Sequence, residues 1–304
     1  MTMSFPESLG ELEERFAADT ACLDFLARHR WEKGFACPGC GRSEAWITEH
    51  GKRHCRGCGR QTSPTAGTMF DRTRKPIQMW FRAMWHIASQ EGGASASDLK
   101  RLLGLNSYQT AWAWLHRLRR AMVRPGRYRL TGPVHFDVVE IAGSGEAIGS
   151  GGRRVWVAIA AQARSSGGGV GRVRLAVVPE GWQEYVAAFL EGMVAPGNTV
   201  ITPAWPWSDV LWHPDYTRRP CTGEECWLPD LIAGRLGPWL LKTYRGGVGI
   251  AHLDYYLDEF AFRYTNEGRS PGCLWGQLVQ NALMVKPVRR DHLKAPSRRQ
   301  IDSG

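Results

Sequence analysis

Cys37-Pro-Gly-Cys40-Gly-Arg42 is answered downstream by Cys55-Arg-Gly-Cys58-Gly-Arg60, with fourteen residues between Cys40 and Cys55. Two CxxC pairs at this interval read as a zinc site, the arrangement of a zinc ribbon. Each CxxC turn places two sulfurs on one side of the ion, and the glycines let backbone amides curl toward them. Four thiolates leave no open coordination position, so Cys37, Cys40, Cys55 and Cys58 are expected to hold a structural Zn2+ ion rather than a catalytic one. A unit this small has little core, so metal binding supplies roughly 10 kcal/mol or more of its folding energy. His50 and His54 lie nearby, but a complete cysteine set makes them unnecessary as ligands. The remaining cysteines, Cys22, Cys221, Cys226 and Cys273, are scattered.

Working outward, residues 4–31 mix apolar and charged positions at helical spacing, with Leu12, Phe16, Leu23 and Leu26 on one face. Residues 76–122 read as mostly helical. Pro76 suits a first turn, Gly92-Gly93 breaks the run, and a short helix follows from Ser95 to Leu103. Gly104-Leu105-Asn106 is a tight turn, and a last helix runs from Ser107 to Met122 with Ala111, Leu115, Leu118 and Met122 as its buried stripe. Helix, glycine turn, helix is the geometry that sets a second helix into the DNA major groove. Ser107, Tyr108, Gln109 and Thr110 open that helix and are the candidate base readers. Arg117, Arg119, Arg120 and Arg124 follow as candidate phosphate contacts. Ordinary helical hairpins are common, so the turn alone does not decide. Trp80, Trp85, Trp112 and Trp114 are expected to pack between helices rather than stack on bases.

Charge supports a polyanion partner. The 304 residues carry a formal net charge of +10. Residues 1–130 hold 21 Lys and Arg against 12 Asp and Glu, whereas residues 131–285 hold 12 against 15. The basic end therefore coincides with the ribbon and the helical unit, which points to double-stranded DNA. No long uncharged apolar run is present, which predicts no membrane partner. With no basic-then-apolar leader pattern, the chain is expected to be cytoplasmic and nucleoid-associated.

After Pro125-Gly126 the pattern changes. Val134–Val139, Arg154–Ala161 and Arg172–Val178 read as strands, Trp182–Met193 as a helix and Asn198–Thr202 as a further strand. Leu231–Lys242 is helical with an interruption expected at Pro238, and His252–Tyr264 is helical. The Trp- and Pro-rich stretch 203–229 has no readable period.

The run Gln61-Thr-Ser-Pro-Thr-Ala-Gly-Thr-Met-Phe70 behind a CxxCG ribbon resembles insertion-sequence transposases of the ISXO type. So do Ser89-Gln90-x-Gly-Gly-x-Ser95, Thr110–Met122, Val194–Val200 and His252–Arg263. The resemblance implies an α/β chain: a zinc ribbon and a helix-turn-helix, then an RNase H-like mixed-sheet domain. The boundaries expected are 1–33 for packing helices, 34–66 for the ribbon, 67–127 for the helix-turn-helix unit, 128–285 for the transposase domain and 286–304 for a basic tail. It implies DNA cleavage and strand transfer at transposon ends, by homo-oligomers. The chemistry uses Mg2+ or Mn2+ held by two Asp residues and a third Asn or Glu.

This sequence departs from that ligand set. Asp137 stands at the first position. The second falls at Pro203, within Thr202-Pro203-Ala204-Trp205, where the family has Thr-Asp-Gly-Trp. The third falls at Thr265, with Asn266 one step late, and one helical step turns a side chain by about 100°. Asp137 and Asn266 are thus the remaining catalytic candidates. The expectation is impaired catalysis, Mg2+ or Mn2+ being relevant only where catalysis is retained. The alternative is an inactive, transposase-derived DNA-binding protein or a decayed copy.

Overall fold

The computed structural model describes residues 4–49, 51–123, 129–142, 147–148, 154–164, 169–178, 183–204, 215–243, 248–288 and 292–293. It divides into two compact units. The first comprises residues 1–121 with 268–292, and the second comprises 122–267 with 293–304.

The first unit opens with α1 (Leu9–Arg15), capped by the Ser8 hydroxyl, and α2 (Asp19–Arg30). A small antiparallel sheet follows, β1 (Ala45–Ile47), β2 (Arg53–Cys55) and β3 (Gln61–Thr62) in that order. Then come α3 (Ile77–Ser89), α4 (Ala96–Leu102) and α5 (Tyr108–Met122). Asp19, at the start of α2, accepts hydrogen bonds from the Ile77 and Gln78 amides at 2.5 and 3.4 Å. It therefore caps α3, whose N-terminal Pro76 has no side-chain acceptor to do so.

The core of this unit is aromatic. Phe16, Phe25 and Phe81 surround the fully buried Trp275, with ring centroids 4.9–5.9 Å apart. The Trp275 indole donates to the Phe81 carbonyl at 3.1 Å. Trp80, Trp85 and Trp114 are buried as expected, Trp80 stacking on Trp114 at 3.7 Å.

Trp275 belongs to the last helix of the described chain, Pro271–Met284, which joins this unit although the sequence reading counted it with the transposase domain. On that helix Gly272 faces the Pro6 carbonyl and Gly276 faces the Phe5 ring, both too close to admit a Cβ without movement. The small residues let residues 5–7 lie across the helix. Gly272→Ala would press on backbone, which yields less readily than a side chain. It is expected to destabilise the unit by about 1–3 kcal/mol, read as a lowered urea midpoint of the full chain.

The second unit carries β4 (Val134–Ala142), β5 (Ala147–Ile148), β6 (Arg154–Ala163), β7 (Val170–Val178), α6 (Gln183–Met193), β8 (Thr199–Pro203), β9 (Thr217–Cys221), α7 (Trp227–Thr243), β10 (Val248–Gly249) and α8 (Leu253–Thr265). The Pro271–Met284 helix is therefore α9. The main sheet runs β7-β6-β4-β8-β9. Its first three strands are antiparallel, whereas β8 and β9 run parallel to β4. Strands β5 and β10 form a separate antiparallel pair. The mixed sheet and its strand, strand, strand, helix, strand order agree with the sequence reading.

Alternation along the strands buries both faces. Val134, Phe136, Ala158 and Ala160 pack with Val186, Phe189 and Leu190 of α6. Val157, Ile159, Val173 and Leu175 pack with Leu228, Ile232, Leu236 and Leu240 of α7 and with Leu257 and Phe260 of α8.

Three local expectations change. Helix α7 runs unbroken through Pro238. Pro238 and Gly234, the residue whose carbonyl the proline leaves without a donor, both lie on the exposed side, where water can serve that carbonyl. Strand β9 and the start of α7 emerge from the stretch that had no readable period. Pro220 within β9 is tolerated because β9 is an edge strand. Cys221 and Cys226, read as scattered, form a disulfide.

Candidate functional site

The two cysteine knuckles are built alike. Cys37 N donates to Arg42 O and Cys55 N to Arg60 O, each at 2.9 Å. Gly41 and Gly59 donate back to the Cys37 and Cys55 carbonyls, both glycines adopting φ of +74°. Gly39 and Gly57 amides point at the Cys37 and Cys55 sulfurs at 3.4 and 3.3 Å. The Gly39 amide holds the Cys37 thiol down to about 6. Arg60 packs over Gly39 and Arg42 over Gly57, so each knuckle covers the other.

The four sulfurs lie within 4.8 Å of one another, with Cys37–Cys58 at 3.6 Å and Cys40–Cys55 at 3.5 Å. A tetrahedral ion with Zn–S bonds of about 2.3 Å needs sulfurs about 3.8 Å apart. The cluster therefore fits zinc, which would bind here as a structural tie among Cys37, Cys40, Cys55 and Cys58.

On the helix-turn-helix, Gly104 takes φ +59° at the turn. Ser107 caps α5 by accepting from the Thr110 amide at 3.3 Å and donates to the Gln109 side chain at 2.9 Å. Tyr108 and Gln109 are exposed, while Ser107 and Thr110 are half-buried. Arg120 is exposed and Arg117 half-buried. Arg119 is different: it is 1% exposed and its guanidinium donates to the Ala94 carbonyl at 2.9 Å. It braces the turn before α4 and has no route to a phosphate. Arg124 lies outside the described residues.

In the second unit, β4 and β8 pair Val134 with Val200 and His135 with Ile201. Carried two residues further, that register sets Asp137 level with Pro203. Pro203 in turn pairs with Cys221 of β9. Asp137 alternates with the α6-facing Phe136 and Val138, so it lies on the α7 side of the sheet. Its carboxylate accepts from the Val138 amide at 2.6 Å.

Two family models match. One is the transposase zinc-ribbon domain over residues 17–61, and the other is the ISXO2-like transposase domain over residues 129–265. Both segments of this chain match insertion-sequence transposases. A relative from Halobacterium salinarum, described as an uncharacterized protein in transposable element ISH50, is 28% identical over 127 residues. That similarity spans 40% of this chain and 42% of the relative. No solved structure matches significantly.

Pro203, which the sequence motif sets at the second ligand position, offers no oxygen from its side chain. Thr265 Oγ1, at the third position, accepts from the Val173 amide of β7 at 3.2 Å. Strand β6 separates β7 from the Asp137 strand. Two strand spacings amount to about 10 Å, so Thr265 and Asp137 do not meet. Asn266 turns back on its own helix, donating to the Phe262 carbonyl at 2.8 Å. The neighbouring Glu259 is fully buried against Arg263 at 2.9 Å. Among the described residues, the four cysteines form the one cluster of three or more metal-ligating side chains. Among the described residues, therefore, no three metal-ligating side chains gather at Asp137.

One residue that the sequence reading passed over adds its charge here. Asp230, in the first turn of α7, interacts electrostatically with Asp137. It sits at the end of the unreadable stretch, and an acid opening a helix was the only signal available. Burial pushes the Asp137 carboxyl up to about 7, Asp230 adding to the rise and the Val138 amide opposing it. On the same face, burial holds the His135 imidazole below its usual range, with Arg219 acting in the same direction.

A carboxyl raised in the folded state stabilises the fold fully below pH about 4, and that contribution is lost as pH rises through about 7. Asp137→Asn is therefore expected to leave stability unchanged near pH 4 and to raise it at pH 8. For a half-buried group the gain is about 1–2 kcal/mol, measurable by urea unfolding at both pH values.

Proposed function

We propose that this chain recognises double-stranded DNA, transposon ends in a mobile element, through its ribbon and helix-turn-helix, and that its strand-transfer chemistry is impaired. The observation that carries this is Pro203 level with Asp137. Without a second carboxylate there, Mg2+ or Mn2+ has no paired seat on the sheet. Tyr108 and Gln109 face the base edges, with Ser107 and Thr110 shaping the helix start. Arg120 and Arg117 meet phosphates. The working location is the cytoplasmic nucleoid, and the role is that of a transposase-derived DNA-binding protein or a decayed copy.

A second reading is favoured by the electrostatic interaction of Asp230 with Asp137. In it those two carboxylates make a rebuilt site that retains cleavage, and Asn266 takes no part.

Zinc-loaded protein is incubated with duplexes spanning the DNA that flanks its gene, with Mg2+, Mn2+ or EDTA. One gel reads shifts and another reads nicks. Specific, salt-sensitive shifts without nicks are expected. Metal-dependent nicking at a defined end, lost in both Asp137→Ala and Asp230→Asn, would establish the second reading. Absence of any specific shift would overturn both.

A further inference from the structure

The small sheet of the ribbon has one face that its buried cluster does not use. The register sets Trp46 of β1 opposite His54 of β2, and His54 opposite Gln61 of β3. Ala45 and Cys55, one residue along, pack with Phe35 and Cys37 on the inner side. Arg53 turns the same way, its guanidinium 5.4 Å from the centre of the Trp31 ring. Alternation therefore sets Trp46, His54 and Gln61 in a row across the outer face. Backbone bonds from Thr48 to Lys52 and from Arg56 to Glu44 carry the register one step further at each end. Lys52 and Arg56 thus flank His54 on that outer face, Arg56 exposed and Lys52 half-buried. Glu44 lies beside Arg56, and residues 34–66 as a whole hold five Lys and Arg against two Glu. Trp46 stacks on His54 with ring centroids 4.0 Å apart and planes within 15°. It is nevertheless 45% exposed.

We propose that this outer face binds single-stranded DNA, an unpaired base stacking on Trp46 while Lys52 and Arg56 meet phosphates on either side. An indole backed by an imidazole is a flat surface held in place, and cations along its flanks suit a strand laid across it. Stacking tolerates any base, because every base has a π-face. The occupant is an unpaired strand because the bases inside a duplex are already stacked on both faces and reach a side chain only when taken out of the helix. The site would work beside the duplex-binding helix-turn-helix proposed above, and rests on that reading for the choice of DNA over other polyanions.

The test is fluorescence anisotropy on the zinc-loaded full chain with two labelled probes. One is an oligomer of about 12 thymidine nucleotides, and the other is an abasic oligomer of the same length. The wild type is expected to bind the base-bearing oligomer about ten- to hundredfold more tightly, the range for one base–aromatic stack. Trp46→Ala should remove that difference by weakening the base-bearing probe alone, and Trp46→Phe should keep part of it. Lys52→Ala with Arg56→Ala should weaken both probes alike and flatten the salt dependence. Equal binding of the two probes by the wild type overturns the proposal, as does a Trp46→Ala chain that retains the difference. Tighter binding of the matching ribo-oligomer overturns the assignment to DNA. Should Trp46→Ala lose its zinc, the wild-type comparison and Trp46→Phe decide on their own. A shift assay on duplex run alongside keeps the two readings apart. Specific duplex shifts with equal binding of both oligomers defeat the single-strand site and leave the helix-turn-helix reading standing.

Discussion

Stripping the metal from Cys37, Cys40, Cys55 and Cys58, or replacing Cys55 by Ser, is expected to unfold the ribbon outright. The apolar material there is slight: Phe35, Cys37 and Cys55 form the buried cluster, with Trp31 and Ala45 packed beside it. Three strands of two or three residues cannot hold themselves together in water. Zinc binding to such a site is worth about 10–16 kcal/mol, more than a small domain's whole stability. The expected result is one zinc per chain in the wild type and none in Cys55→Ser. Loss of dispersed amide resonances should be confined to roughly residues 35–62. Specific DNA affinity should fall by two orders of magnitude or more, an order-of-magnitude expectation for loss of a folded module. A Cys55→Ser chain that keeps both its dispersion and its zinc would show that another ligand closes the site.

Arg119→Ala is expected to cost about 2–4 kcal/mol and to lower DNA affinity only as far as it lowers the folded fraction. The guanidinium is buried and donates to the Ala94 carbonyl. Truncation opens a void the size of the side chain and removes a charged donor from a buried acceptor. Arg119→Met keeps much of the volume and should recover part of the loss. The contrast is Arg120→Ala, one residue on and exposed. It should leave the thermal midpoint within about 1 °C, weaken duplex binding evenly across sequences and reduce the salt slope by about one. The two arginines separate cleanly when a urea melt and a salt titration are run on the same preparations. An Arg119→Ala chain with unchanged stability and a lowered salt slope would return that residue to the DNA surface.

These two cases also show where a sequence can be read and where it cannot. The cysteine pairs announce their geometry because the chemistry dictates both residue type and spacing, and the glycines at 39, 41, 57 and 59 serve as anticipated. The helices of the first unit were legible because apolar residues recur every three or four positions. Arginine carries no such signature. Position 119 lies one helical step from the buried Leu118, and charge suggests solvent, yet a carbonyl from another segment satisfies it inside. Likewise β9 hides behind Pro220, because only its place at the sheet edge makes a proline acceptable. The sheet site was legible in part. Asp137 and Pro203 could be aligned by motif, whereas the distance of Thr265 and the charge that Asp230 adds depend on strand order and on where α7 begins.

The discontinuity of the first unit has a consequence for how the protein comes into being. Its central tryptophan sits on a helix that leaves the ribosome only after residues 122–267 have been made. At about 5–20 residues per second, Phe81 waits some ten to forty seconds for Trp275, and Phe16 and Phe25 wait longer. During that interval the nascent chain carries an open aromatic face. Premature termination anywhere in the sheet domain therefore leaves the helical unit without its core rather than releasing a finished DNA-binding fragment. A chain cut short there is expected to lack a stable helical unit.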